Sequence, residues 1–197
     1  MTTTNSTDAY GTNAQGSADA NDRHSLQTYV SDMLALERHI AQPISRQLEM
    51  QDTAKYADAK AVISQVRALT DSHAAALEQS LAALGGHEAS PVKSAWSSLL
   101  GVGAAAIDSV RKTKVSKSLR DDYTALNLAA IGYTMLHTTA VGLGDATVAD
   151  LARRHLADYA RLVMQIMQLI PSVVLAELSD DGERVATGAA ETIRQQT

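Results

Sequence analysis

The sequence predicts an all-α fold, four long helices arranged as two hairpins with a long connection between them. Three observations carry this. Apolar residues recur at three- and four-residue spacings over four extended segments, the pattern of helices that each bury one stripe. No stretch alternates with period two over a strand length, and phenylalanine is absent from all 197 residues, so a sheet is not expected. The breaks inside each pair of segments are short, whereas about thirty residues, Gly86 to Ser116, separate the pairs.

Composition limits what these helices can be. With 45% hydrophobic residues the chain can build one domain with a substantial core. Cysteine is absent, which excludes disulfides, thiolate metal sites and thiol nucleophiles, and fits a cytoplasmic protein. A formal net charge of -5 provides no global field for nucleic acid, so anion binding would need a local patch. The start, "MTTTNSTDAYGTNAQGSADANDR", lacks the cationic and apolar regions of a secretory signal. No uninterrupted apolar run approaches the length of a membrane span.

Residues 1–22 have almost nothing to bury and are expected to form a disordered polar tail. From there, residues 23–178 carry the helices. Leu26, Val30, Met33, Glu37, Ile40, Ile44 and Leu48 mark the first, over about 24–51, with Pro43 predicted to kink it and free the carbonyl of His39. A turn near Gln51–Thr53 leads into the second, about 54–84, with Ala59, Val62, Val66, Leu69, His73, Leu77 and Leu81 on its stripe. Gly85-Gly86 ends it. The third spans about 117–141 with Leu119, Tyr123, Leu126, Ala130, Tyr133, His137 and Val141 facing inward. "GLGD" (142–145) breaks the chain there, and Asp145 or Thr147 can cap the next helix. The fourth covers about 146–177 with Val148, Leu151, His155, Tyr159, Leu162, Ile166 and Leu169, and has Pro171 as a late kink or stop. Residues 179–197 are expected to fray.

A helix of about 28 residues is roughly 42 Å long at 1.5 Å per residue, so the connection 86–116 is long enough to return along the whole assembly. That is the one-crossover topology of ferritin-like bundles. "DMLALERH" on the first helix, "LTDSHAAALEQSLAALGG" ending the second and "GLGD" joining the third and fourth resemble small bacterial ferritin-like proteins of the YciE/YciF stress-response type, over about residues 24–177. The resemblance implies a ferritin-like four-helix bundle, a stress-associated role and a metal centre.

In that superfamily two helices each supply one Glu and the other two each supply Glu-x-x-His. Glu37 falls on the first Glu and His73 on the second helix's His, but Thr70 replaces the Glu of that motif. Leu126, Ala129 and Ala130 occupy the place of the third helix's carboxylate, and Arg154 and Ala157 lie near that of the fourth helix's motif. Most of the di-iron ligand set is therefore missing. A second constellation is Glu37, His73, His137 and His155, each on the inward stripe of a different helix; three imidazoles and a carboxylate suit a single iron, manganese or zinc. Counting from the turns, Glu37 and His73 can meet, and His137 and His155 can pair nearer one end. The plainer reading has these residues as buried polar groups satisfied by Thr70, Tyr133 and Tyr159, with no cofactor bound.

The crossover offers a second candidate. Trp96 and the apolar run Leu99–Ile107 precede Arg111, Lys112, Lys114, Lys117 and Arg120, with no acid among the five basic residues after Asp108. Such a segment can meet a membrane surface or a protein partner, or simply cover the side of the helices. It lacks the interleaved aromatics of a nucleic-acid site. No phosphate loop, dinucleotide fingerprint or nucleophile elbow is present. Asp121-Asp122 read as first-turn acids, and Arg153-Arg154 as a solvated face. The expected function is a non-enzymatic, stress-associated or scaffolding protein, homo-oligomeric, with a degenerate metal site. The alternatives are a metal-binding protein with residual oxidative activity, and a protein that docks through its crossover.

Overall fold

The structure, a computed structural model, describes residues 9–86 and 114–196, with side chains over 20–86, 114–193 and at 195. Every element in these residues is a helix: α1 (Ala9–Glu49), α2 (Gln51–Lys55), α3 (Ala57–Ala83), α4 (Val115–Gly142), α5 (Ala146–Asp180) and α6 (Ala189–Gln196). The all-α class is as the sequence predicts.

Four long helices form the core. α1 lies against α3 and α4, and α5 against the same two. Cross-helix contacts fix each neighbouring pair as antiparallel: Gln27 with Leu84 and Glu37 with His73 for α1 and α3, Glu37 with Tyr133 and Gln47 with Asp122 for α1 and α4. Ser116 with Glu177 and His137 with Ala149 do the same for α4 and α5, as do His73 with Asp158 and Tyr56 with Asp180 for α3 and α5. Leu84 and Lys114 consequently sit at opposite ends of the assembly. Trp96, Arg111 and Lys112, and most of the segment expected to form a crossover, lie outside the described residues.

The stops act as the turn chemistry predicts. Gly85 has φ +76°, which lets Gly86 N bond Leu81 O at 2.9 Å and Gly85 N bond Ala82 O at 2.9 Å, closing α3 without strain. Asp145 caps α5 by accepting from Val148 N at 2.9 Å. The α4 start is capped from outside its own sequence, because the Glu177 carboxylate accepts from Ser116 N at 2.9 Å.

Several expectations need correction. α1 begins at Ala9, not near residue 24, so residues 9–22 of the expected disordered tail are helical. No apolar stripe announces this extension; a helix nucleated by packing, whose first buried side chain among the described residues is Leu26, propagates at one hydrogen bond per added residue. The hairpin turn contains α2, whose Thr53 is buried. Pro43 and Pro171 each lie inside a continuous helix. Near Pro43 the Ala41 carbonyl accepts from Ser45 Oγ at 3.0 Å and Arg67 Nη1 at 2.8 Å, so a side chain from α3 braces that turn. At the C-terminus, where fraying was expected, "AAETIRQQ" forms α6; its Ala, Glu, Arg and Gln are good helix formers, and Gln195 donates to Glu191 at 2.9 Å.

The phase of α4 also differs. Its buried residues include Val115, Leu119, Asp122, Leu126, Ala129, Tyr133, Leu136 and Ala140, an alternation of four- and three-residue steps. The predicted stripe shares Leu119, Leu126 and Tyr133 but lies one residue late elsewhere, and Val141 is 59% exposed. On α3, Ile63 and Thr70 are buried where Val62 and Leu69 were expected. Gly132 permits a close approach of α4 to α1: a Cβ there would lie 2.5 Å from Met33 Sδ.

α5 is long and apolar enough, by length and composition, to cross a membrane. The expectation from uninterrupted runs misses this because single polar residues interrupt an otherwise apolar helix. His155, Tyr159 and Glu177 of α5 face its protein neighbours.

Candidate functional site

All four long helices place side chains in one buried polar centre. Glu37 of α1 is fully buried. Its Oε1 accepts from Tyr133 Oη of α4 and lies 3.3 Å from His73 Nδ1 of α3, while its Oε2 accepts from Tyr159 Oη of α5. His73 Nε2 is 3.2 Å from Asp158 Oδ2. Thr70 Oγ1 donates to Val66 O at 2.8 Å and lies 3.5 Å from Tyr159 Oη. These contacts follow from helical spacing: Thr70 with His73, and His155 with Tyr159, are one turn apart on a buried face.

The rings pack as closely as the polar atoms. His73 and His155 stack with centroids 3.8 Å apart at 12°, and Tyr133 and Tyr159 meet His73 edge-on at 5.8 and 4.9 Å. Burial, followed by the Glu37 charge, pushes both phenols well above their ordinary range, so both remain protonated donors. Burial also pushes His155 down to about 3, assisted by His73 and Arg154, and holds that ring neutral. Its Nδ1 is buried without a hydrogen-bond partner. His73 thus faces a carboxylate oxygen at each ring nitrogen.

The four residues proposed from sequence therefore divide. Glu37, His73 and His155 come together, whereas His137 is half-buried near the α4–α5 turn with Nδ1 2.9 Å from Ala149 O. Among the described residues no three His, Asp or Glu side chains gather as a metal ion would require. The donor chemistry gives the same answer. Both oxygens of Glu37 are engaged by protein donors, and the residues that the sequence resemblance sets at further ligand positions, Thr70, Leu126 and Ala129, are buried and carry no carboxylate. The ferritin-type ligand set does not fit here. An open groove of about 470 Å³, lined by residues including Arg38, Gln42, Arg46 and Arg67, shares no residue with the centre.

Two features escape the sequence reading. Asp158 stands three residues after His155, a helical spacing that could have pointed to it. The other is a second buried polar pair. Gln47 Nε2 donates to Asp122 Oδ1 at 2.8 Å, while Gln47 Oε1 and Asp122 Oδ2 are buried with no partner. Burial raises Asp122 to about 7, against the lowering effect of the Gln47 bond. Because α4 begins at Val115, Asp122 lies two turns inside the helix and is no first-turn acid.

The basic segment is also altered by its neighbours. Lys114 pairs with Asp181, the residue that follows α5, and Arg120 with Asp121 at 2.7 Å, leaving Lys117 exposed between them. Arg153 and Arg154 both pair with Asp150 on an exposed face.

The chain is similar to the crystal structure of a protein from Xanthomonas campestris pv. campestris, with a TM-score of 0.66 and 16% identity over 82% of this chain and 99% of that one. At that identity the likeness shows the fold alone. No family model and no curated protein matches the chain.

Proposed function

We propose that this chain is a ferritin-like four-helix bundle, with residues 86–116 as its long crossover, in which a hydrogen-bonded polar core stands where such proteins hold metal. It acts without catalysis, as a stress-associated or scaffolding protein of the cytoplasm, homo-oligomeric and not bound to nucleic acid. The observation that carries this reading is the state of Glu37, a carboxylate whose two oxygens accept from Tyr133 and Tyr159 while His73 lies between it and Asp158. A ligand position closed in this way leaves no coordination site open. The antiparallel pairs and the opposite positions of Leu84 and Lys114 support the bundle and crossover.

One observation favours the metal-binding alternative, with iron, manganese or zinc: the unpartnered Nδ1 of His155 beside His73. The test is metal analysis of untagged protein, followed by thermal unfolding with chelator and with added zinc, manganese or ferrous iron. The expected result is substoichiometric metal and an unmoved midpoint. A midpoint that rises with metal and falls with chelator would overturn the metal-free reading, since a ligand bound only to the native state must stabilise it.

A further inference from the structure

Among the described residues, α5 carries more exposed large apolar side chains than any other helix. Among the described residues, its exposed large apolar side chains are Met164, Met167, Val174 and Leu178; the remaining ones lie on α4, and α1 and α3 have none. With the half-buried Pro171 the α5 residues repeat at steps of three, four, three and four, the spacing of a packing seam. Met164 and Met167 are 51% and 49% exposed.

Chain geometry identifies what can cover this seam. Lys114 pairs with Asp181, and Ser116 N donates to Glu177, which pins the start of α4 at the C-terminal end of α5. Tyr56 with Asp180 and His73 with Asp158 run α3 antiparallel along α5, so Gly86 emerges level with the N-terminal end of α5. Residues 87–113 must therefore travel the length of α5, and they reach roughly 40 Å even at the compact rise of about 1.5 Å per residue. α3 and α4 occupy opposite corners, so the path passes outside either α1 or α5, and among the described residues only α5 of these two has exposed large apolar side chains. Sequence order agrees: Leu99–Ile107 is apolar and is followed by Arg111, Lys112 and Lys114, while the α5 seam leads to Asp180, Asp181 and Glu183.

We propose that the outward face of α5 is an intramolecular docking surface whose occupant is residues 87–113. The apolar run meets Met164–Leu178, and the basic residues meet the acidic end. This goes beyond the functional reading above, because it holds whether or not the polar centre binds metal.

The chain has one tryptophan, Trp96, and no cysteine, so the full-length protein supplies its own probe and a clean background for crosslinking. Trp96 should emit at a shorter wavelength than free tryptophan, and acrylamide should quench it several-fold less, at every protein concentration. Met167→Glu with Val174→Glu should raise quenching several-fold while the helical circular dichroism is kept. As an independent reading, Val174→Cys combined in turn with a cysteine at each position from 99 to 107 should give an oxidative crosslink within one chain, unchanged on dilution. A crosslink found only between chains would overturn the proposal in favour of a second copy. A Trp96 emission that shifts to shorter wavelength only on adding anionic phospholipid vesicles would overturn it in favour of a membrane. No crosslink from any position, with Trp96 as accessible as in unfolded protein, would overturn it outright.

Discussion

Two buried carboxylates, Glu37 and Asp122, are held by the same pair of helices, α1 and α4, and are treated in opposite ways. Glu37 has its oxygens taken by Tyr133, Tyr159 and His73, donors from three helices. Asp122 has one donor, the Gln47 amide, and one oxygen without a partner. Burial is matched by hydrogen bonds at the first site, while at the second it raises Asp122 to about 7. If Asp122 is protonated on Oδ2, that hydroxyl can donate to Gln47 Oε1, and both unpartnered atoms are satisfied at once. A carboxylate can thus be kept inside a helical core either by surrounding it with donors or by neutralising it.

The contrast can be broken most strongly at Glu37. Glu37→Leu leaves two phenols and a His73 nitrogen without their acceptor, and should cost about 3 to 5 kcal/mol in urea unfolding. Adding His73→Leu, Tyr133→Phe and Tyr159→Phe should recover most of that loss, because the whole network is then apolar. A four-fold variant no more stable than the single one would show that the network acts through packing rather than hydrogen bonding.

The Asp122 side sharpens the comparison through pH. Its folded pKa lies above the unfolded value near 4, so its contribution is fully present at low pH and is lost as pH rises toward about 7. Asp122→Asn should therefore stabilise the protein at pH 8 by roughly 2 kcal/mol and have little effect at pH 4. His155 has the opposite sign. Its folded pKa, about 3, lies below the unfolded value of 6.5, so its contribution is present above 6.5 and lost as pH falls. His155→Phe should reduce acid destabilisation at pH 4 by about 1 to 2 kcal/mol. The two slopes oppose each other between about pH 4 and 6.5, so the wild-type stability profile should be flatter there than that of either variant. The smallest effect is expected from deleting residues 1–22. The midpoint should move by no more than about a few degrees, since the first buried side chain among the described residues is Leu26 and the sequence before it has little to bury, although some helical signal is lost with the start of α1.

Much of the architecture is legible in the sequence because stripes and stops are local signals. The Gly85-Gly86 and Asp145 boundaries lie where turn and cap chemistry put them. The pairing of Glu37 with His73 is legible from residue counting along a hairpin. What escapes is set by tertiary contacts. A stripe built from apolar residues passes over Asp122, because only the partner Gln47, 75 positions away in sequence, makes its burial tolerable. The same preference for apolar residues shifts the predicted α4 face toward Tyr123, Ala130 and Val141. Residues 9–22 leave no stripe, since their helix is an extension of one packed elsewhere. His137 and His155 look equivalent on paper, but a small phase difference sends one ring to a backbone carbonyl and the other onto His73.

The close approach at Gly132 has one more consequence. Met33 lies one turn before Glu37 on α1, and Gly132 immediately precedes Tyr133 on α4, so the thioether filling the hollow left by the glycine adjoins one of the bonds that hold the buried carboxylate. Side-chain volume at 33 and at 132 is therefore shared: a methyl gained at 132 must displace the flexible end of Met33, the atoms nearest to it.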